Sequence, residues 1–166
     1  MKNIVEKIKN KLLTSPRTCK LIFNLWPPFL GTGIKVVSIS DDFKDVKLLL
    51  KLRFYNKNYI NTQFGGSLFA MTDPFFTFML LKQLGKDYLI CDQSASINYI
   101  SFGKGNVKAN LKLTDIDIQT IKDKTASGEK FLPSFNIEIL DASDEKIISK
   151  VTRILYVKKR PIKTVY

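Results

Sequence analysis

Asn58, Gly65, Gly66 and Asp73 are the residues whose types and spacing offer chemistry in this chain. The glycines follow Phe64 and precede Ser67, so a tight turn there would open the next segment. Glycine lets the backbone bend sharply and come close to a ligand. N–H groups left free at a buried helix start suit a developing negative charge. Asp73 brings a carboxylate that can act as general base or as direct nucleophile. Asn58 could orient a water or that carboxylate through its amide. Thr77 lies one helical turn after Asp73, in reach of the carboxylate or of a bound molecule. Ser67 is a candidate at the helix start. Each also has a plain structural reading: Asp73 precedes Pro74 and could cap a helix beginning there, Gly65-Gly66 is a common turn, and asparagine is frequent in loops for backbone reasons. Thr77 could simply pack.

The element that must position these residues spans 58–84. Its apolar positions, Phe69, Ala70, Met71, Phe75, Phe76, Phe78, Met79, Leu80 and Leu81, leave a helix no polar face. Such a helix is buried on all sides or lies in a membrane. A membrane span needs about 20 apolar residues, and this run is shorter and broken at Asp73-Pro74, which predicts a buried helix with Asp73 among phenylalanines. Strand patterns surround it: 34–39, a turn at 40–42, then 46–55 before the helix, and 89–100, 107–114, 131–139 and 147–157 after it. Residues 98–106 form a glycine-punctuated connection, 141–146 a turn, and 116–130 a loop or short helical turn. Upstream, Ile4, Ile8 and Leu12 predict an amphipathic helix over 3–13, broken at Pro16, and a second helix follows over 18–25. The division is therefore a helical extension at 1–26, one domain at 27–160 and a C-terminal tail at 161–166, with a basic stretch at Lys158-Lys159-Arg160-Pro161. The order strand, strand, helix, four strands predicts an α+β fold, a long antiparallel sheet wrapped around one buried helix.

Composition narrows the function classes. The 166 residues carry a net charge of +12, which favours polyanionic partners such as nucleic acid, anionic lipid or a phosphorylated ligand. There is no histidine, so a Ser-His-Asp triad and a histidine base are excluded. Cys19 and Cys91 match no metal spacing, so no metal site is expected. Two cysteines and an N-terminus without the apolar core of a secretory signal fit a cytoplasmic protein, and no transmembrane segment is expected.

On the residues Asn58, Thr62 to Asp73, Ile97 to Ile100, Gly103 to Ala109 and Ile154 to Val157, the chain resembles the hotdog-fold acyl-CoA thioesterases of the phenylacetyl-CoA thioesterase type. It is similar above all to a branch of unknown function described as tetrameric acyl-CoA thioesterases. The likeness covers residues 26–158. In that family a His-Gly-Gly turn precedes the central helix and an acidic residue follows eight positions after the first glycine; Gly65 and Asp73 keep that spacing. An Asn or Gln stands seven positions before the glycine, as Asn58 does. The histidine position is Phe64. The resemblance implies a hotdog fold, a coenzyme A thioester as substrate, no cofactor, and a homodimer or dimer of dimers with sites at the subunit interface. Phe64, Ser67, Thr77 and Lys104 are the candidate substrate contacts, Lys104 toward coenzyme A phosphates, although a lysine in so basic a chain is by default solvated.

Three function classes follow: an acyl-CoA thioesterase, a hotdog protein that binds an acyl ligand without hydrolysing it, and a protein that binds nucleic acid or a membrane surface. The aromatic residues concentrate in the buried helix instead of alternating with basic residues on strands, which speaks against stacking on nucleic acid.

Overall fold

A computed structural model describes residues 15–160. The amphipathic helix expected over 3–13 and the tail at 161–166 lie outside the described residues.

Two short helices come first. Helix α1, Pro16–Leu25, starts at the proline the sequence reading took as a break, because a proline without an N–H costs nothing in the first turn. It ends before Pro27, which opens α2, Pro27–Thr32, and Gly33 closes α2 in the left-handed conformation at φ 80°. Strands β1, Ile34–Ile39, and β2, Asp45–Leu50, form a hairpin. The expected second strand reached residue 55, but pairing stops at Leu50: Leu52 N–H turns to the Asn106 side chain and Arg53 N–H to Asn56.

The central helical segment is two helices. Helix α3, Gly65–Ala70, and helix α4, Phe75–Leu84, are separated by a turn that ends in a cis Asp73-Pro74 bond. Strand β3, Tyr88–Tyr99, follows, then β4, Val107–Lys112. Residues 116–130, read as a loop or a helical turn, instead hold a ten-residue helix, α5, Asp115–Lys124. A capping box explains it: Asp117 N–H donates to Thr114 Oγ1 and Thr114 N–H to the Asp117 carboxylate. The expected strand at 131–139 is two pieces, β5, Lys130–Phe131, and β6, Ser134–Asp141, parted at Pro133, whose missing N–H cannot serve a ladder. Strand β7, Ile147–Lys159, completes the sheet and takes in the first residues of the basic stretch.

All strands belong to one antiparallel sheet in the order β1-β2-β4-β6-β7-β3, with β5 beside β7. Alternate residues face the helices: Val46, Leu48 and Leu50 on β2, Val107, Ala109 and Leu111 on β4, and Val151, Leu155 and Val157 on β7 are buried. The α4 side chains Phe75, Phe76, Met79 and Leu80 fill the concave face, with Phe76 stacked on Phe135 at 4.1 Å. Burying each such side chain is worth about 1.5–3 kcal/mol. The N-terminal extension shares this core: Phe23 of α1 packs on Phe75 and Phe78, and Cys19 is buried. The α4 helix is not enclosed on every side, because Leu81 is 44 % exposed and Thr77 and Phe78 are half-buried within the single chain. The sheet covers one flank and α1 and α2 another, leaving the third open. This is the α+β hotdog arrangement, a sheet curled around a central helix.

Candidate active site

The loop before α3 is held by Asn58. Its side-chain oxygen accepts from the N–H groups of Ile60 at 3.1 Å and Thr62 at 3.0 Å, and its amide donates to Thr62 Oγ1 and the Gln63 carbonyl. Asn61 takes a positive φ of 63° in the turn that results. Gln63 is buried and ties the loop to the sheet through Nε2, which donates to the carbonyls of Leu50 and Gly105. The hydrogen-bonding groups of Asn58 are therefore occupied by its own loop.

Phe64 is the N-cap of α3, with no side-chain cap; its carbonyl accepts from the N–H groups of Ser67 and Leu68. Ser67 is buried and contributes that N–H, not a cap. The N–H groups of Gly65 and Gly66 meet no acceptor among the described residues, as expected for the first amides of a helix. A Cβ at Gly65 would lie 2.9 Å from the Tyr99 hydroxyl, and one at Gly66 would strike the Phe64 ring at 2.5 Å. Both glycines thus permit close approach, and Tyr99 brings an O–H over the turn that sequence reasoning did not single out.

Asp73 sits in the turn between α3 and α4. It does not cap α4, whose N-cap is Pro74 without a side-chain bond. Nor is it enclosed by phenylalanines: its side chain is 49 % exposed and pairs with Arg153, Nη1 to Oδ2 at 3.1 Å. Arg153 is a core-facing residue of β7, only 4 % exposed, between buried Val151 and Leu155. Its guanidinium also gives Nε to Thr72 Oγ1 at 2.9 Å, Nη1 to Asp92 Oδ1 at 3.3 Å and Nη2 to the Phe69 carbonyl at 3.3 Å. The Phe69 ring lies 5.3 Å from the guanidinium carbon. Thr77 does not reach Asp73; its hydroxyl donates to Asp92 Oδ2 at 3.4 Å. Asp92 is on β3, beside a bulge at Gln93.

Arg153 and Asp92 escaped the sequence reading. A signal was present: Arg153 falls in phase with Val151, Leu155 and Val157, at a position where alternation demands an apolar residue. A charge in a core phase has to be paired nearby.

Lys104 lies apart, in a cavity of about 400 Å³ with Phe102, Lys146, Asp141 and Asp144. The Ser143 hydroxyl and then its N–H hold the Asp141 carboxyl below the usual carboxylate range. The cavity therefore sets two aspartates against its two lysines. Another hollow, about 530 Å³, is on the outer face of the sheet around Val37, Leu49 and Leu140, and contains none of the candidate residues. Among the described residues no group of three or more Cys, Asp or Glu is placed to hold a metal, and no helix is long and apolar enough to cross a membrane.

The structure thus gathers Phe64, Gly65, Gly66 and Tyr99 at one end of α3 and Asp73, Thr77, Asp92 and Arg153 at the other. Gly65 opens α3 and Asp73 lies three residues past its end, and the six residues of α3 alone span roughly 9 Å.

The fold is shared with solved structures. A probable thioesterase of unknown function from Pseudomonas aeruginosa superposes with a TM-score of 0.76 at 12 % identity, over 89 % of this chain and 99 % of that one. A protein of unknown function from Chlorobaculum tepidum gives 0.69 at 15 % identity, over 89 % and 98 %. A thioesterase from Haemophilus influenzae gives 0.64 at 10 % identity, over 91 % and 95 %. A search of curated proteins finds no match to the chain. The family model described as a domain of unknown function, DUF4442, matches residues 16–157, most of the length, and the chain belongs to that family.

Proposed function

We propose that the protein is an acyl-CoA thioesterase in which Asp73 is the general base or nucleophile and the N–H groups of Gly65 or Gly66 receive the oxyanion. The observation that carries this reading is the Asp73 carboxylate itself: Oδ2 is clamped by Arg153, Oδ1 has no partner among the described residues, and the side chain is half open. As a base, Asp73 takes a proton from water as the hydroxide attacks the thioester carbonyl. The C–S bond then breaks, and the proton passes to the departing coenzyme A thiolate. One preorganised N–H donor on the oxyanion is worth about 3–4 kcal/mol. The donors must lie within about 3 Å of the oxyanion and the carboxylate must reach the same carbonyl through one water, whereas Gly65 and Asp73 of one chain lie at opposite ends of α3. Pairing the glycine turn of one protomer with the Asp73 of its partner resolves that separation, and the site then lies at a homodimer interface. Names borne by structures of the same fold, two of them thioesterases, agree with the reaction class.

Lys104 is the candidate contact for coenzyme A phosphates. With Asp141 and Asp144 beside it, its share is expected to be small.

One observation favours a second reading, an acyl-ligand binding protein without turnover: the start of α3 carries an exposed Phe64 ring, which can neither donate nor take a proton.

The test is a screen of the purified protein against short, medium, long-chain and aryl acyl-CoAs, with Asp73→Asn alongside. Turnover of at least one class should fall in Asp73→Asn by about 100-fold or more, with binding retained. A folded Asp73→Asn protein as fast as the parent refutes the assignment. A parent that binds acyl-CoA and hydrolyses none establishes the second reading.

A further inference from the structure

We propose that Arg153 is the positioning residue of the reacting carboxylate, fixing Asp73 by one oxygen so that the other is presented to the substrate, with Asp92, itself held by Thr77, in turn fixing Arg153. This rests on the role of Asp73 proposed above.

The geometry divides the two carboxylates by function. Asp92 spends both oxygens inside the cluster, Oδ1 on Arg153 and Oδ2 on Thr77. Asp73 spends only Oδ2. Asp92 is also the less exposed, 31 % against 49 %. Asp92 therefore balances charge, and Asp73 keeps one oxygen without a partner on a half-open side chain. The Arg153 guanidinium lies between the two carboxylates and offsets the charge of one of them. The turn carrying Asp73 is gripped from both sides as well: Thr72 Oγ1 accepts from Arg153 Nε and donates to the Phe69 carbonyl, which also accepts from Nη2. The planar fork of arginine can serve these acceptors at once, whereas a lysine ammonium is a single point of charge on a flexible stem.

Stability alone is a poor reason for this residue. An apolar side chain at 153 would continue the Val151, Leu155, Val157 face with no desolvation cost, and replacing buried ion pairs by apolar residues is often neutral or stabilising. A fixed carboxylate, in contrast, is what a reaction that depends on alignment requires.

The experiment compares the parent, Asp73→Asn and Arg153→Lys on whichever acyl-CoA the parent turns over. Arg153→Lys keeps the charge and loses the fork, so kcat should fall about 10- to 100-fold with KM within about threefold. A folded Arg153→Lys with parental kcat, alongside an inactive Asp73→Asn, overturns the role of Arg153 and leaves that of Asp73 standing. Parental turnover in Asp73→Asn overturns both. Should Arg153→Lys fail to fold, nitrogen-15 NMR of the parent decides: separate, slowly exchanging Nη signals for Arg153 support the clamp, and averaged signals from a freely rotating guanidinium refute it.

Discussion

Asn58 shows how a side chain can occupy a catalytic-looking position and be fully employed elsewhere. Its four side-chain hydrogen bonds close the loop over 58–63, and that loop delivers Gly65 and Gly66 to the start of α3. Asn58→Ala should therefore lower stability by about 1–3 kcal/mol, since it strands backbone donors that the side chain now satisfies. Its effect on kcat should be smaller than that of Asp73→Asn and should track the loss of stability. Thermal melts set beside kinetics separate the roles, because an Asn58 that acted on water would lower kcat with an unchanged melting temperature. Phe64 behaves differently. Its ring is exposed and rests on Gly66, so it shapes the surface of the turn and adds little to the core.

Among the elements, α5 carries the clearest local cause. The Thr114–Asp117 box, Asp115 in the first turn, and Lys122 and Lys124 in the last all favour a helix there. Thr114→Ala should cost about 1 kcal/mol, read as a shift in the urea midpoint with an unchanged slope. A shift of a few tenths or less would mean that Ile118 and Ile121, buried on the core side, hold α5 without its cap. The same Thr-x-x-Asp signature was present in the sequence, but the weak apolar periodicity of 116–124 hid it. Strands β1, β3, β4 and β7 were legible because period-two alternation is a local property. The end of β2 was not, because it depends on Asn106 of a distant segment, whereas the break before β6 had a local signal in Pro133 that the apolar pattern of 131–139 masked. The glycine turn at the start of α3 could be read from the sequence, and Asp73 could be named as a candidate from its spacing in the family that the chain resembles. The partner of Asp73 could not, since Arg153 is 80 residues away and only the sheet register brings it beneath the turn.

At the scale of the whole molecule the two edges of the sheet are unequal, and this bears on assembly. The β1 edge is closed: the Asn24 side chain of α1 pairs with both the N–H and the carbonyl of Val36. The β3 edge is twelve residues long and ends the sheet with no neighbour among the described strands. Aromatic residues are exposed in the loops near the glycine turn, Tyr59 at 97 % and Phe54 at 85 %, and Tyr99 and Phe102 are exposed at the end of β3 and just beyond it. An open edge of this length invites pairing unless something covers it, and under the function proposed above the placing of Gly65 and Asp73 at opposite ends of α3 would give that pairing a chemical purpose. The expected species is a homodimer joined through β3, or a dimer of such dimers, at micromolar concentration. Its salt dependence follows from the charge. With +12 on each chain, protomers repel one another at long range, and at 0.1 M salt that field is already damped beyond about 10 Å. Association should therefore hold or tighten as salt rises from about 0.05 to 0.3 M, where the Debye length shortens; an interface built on ion pairs would weaken. Light scattering across that range is the measurement, and a mass of one chain at every salt concentration would eliminate both the dimer and a site shared between protomers.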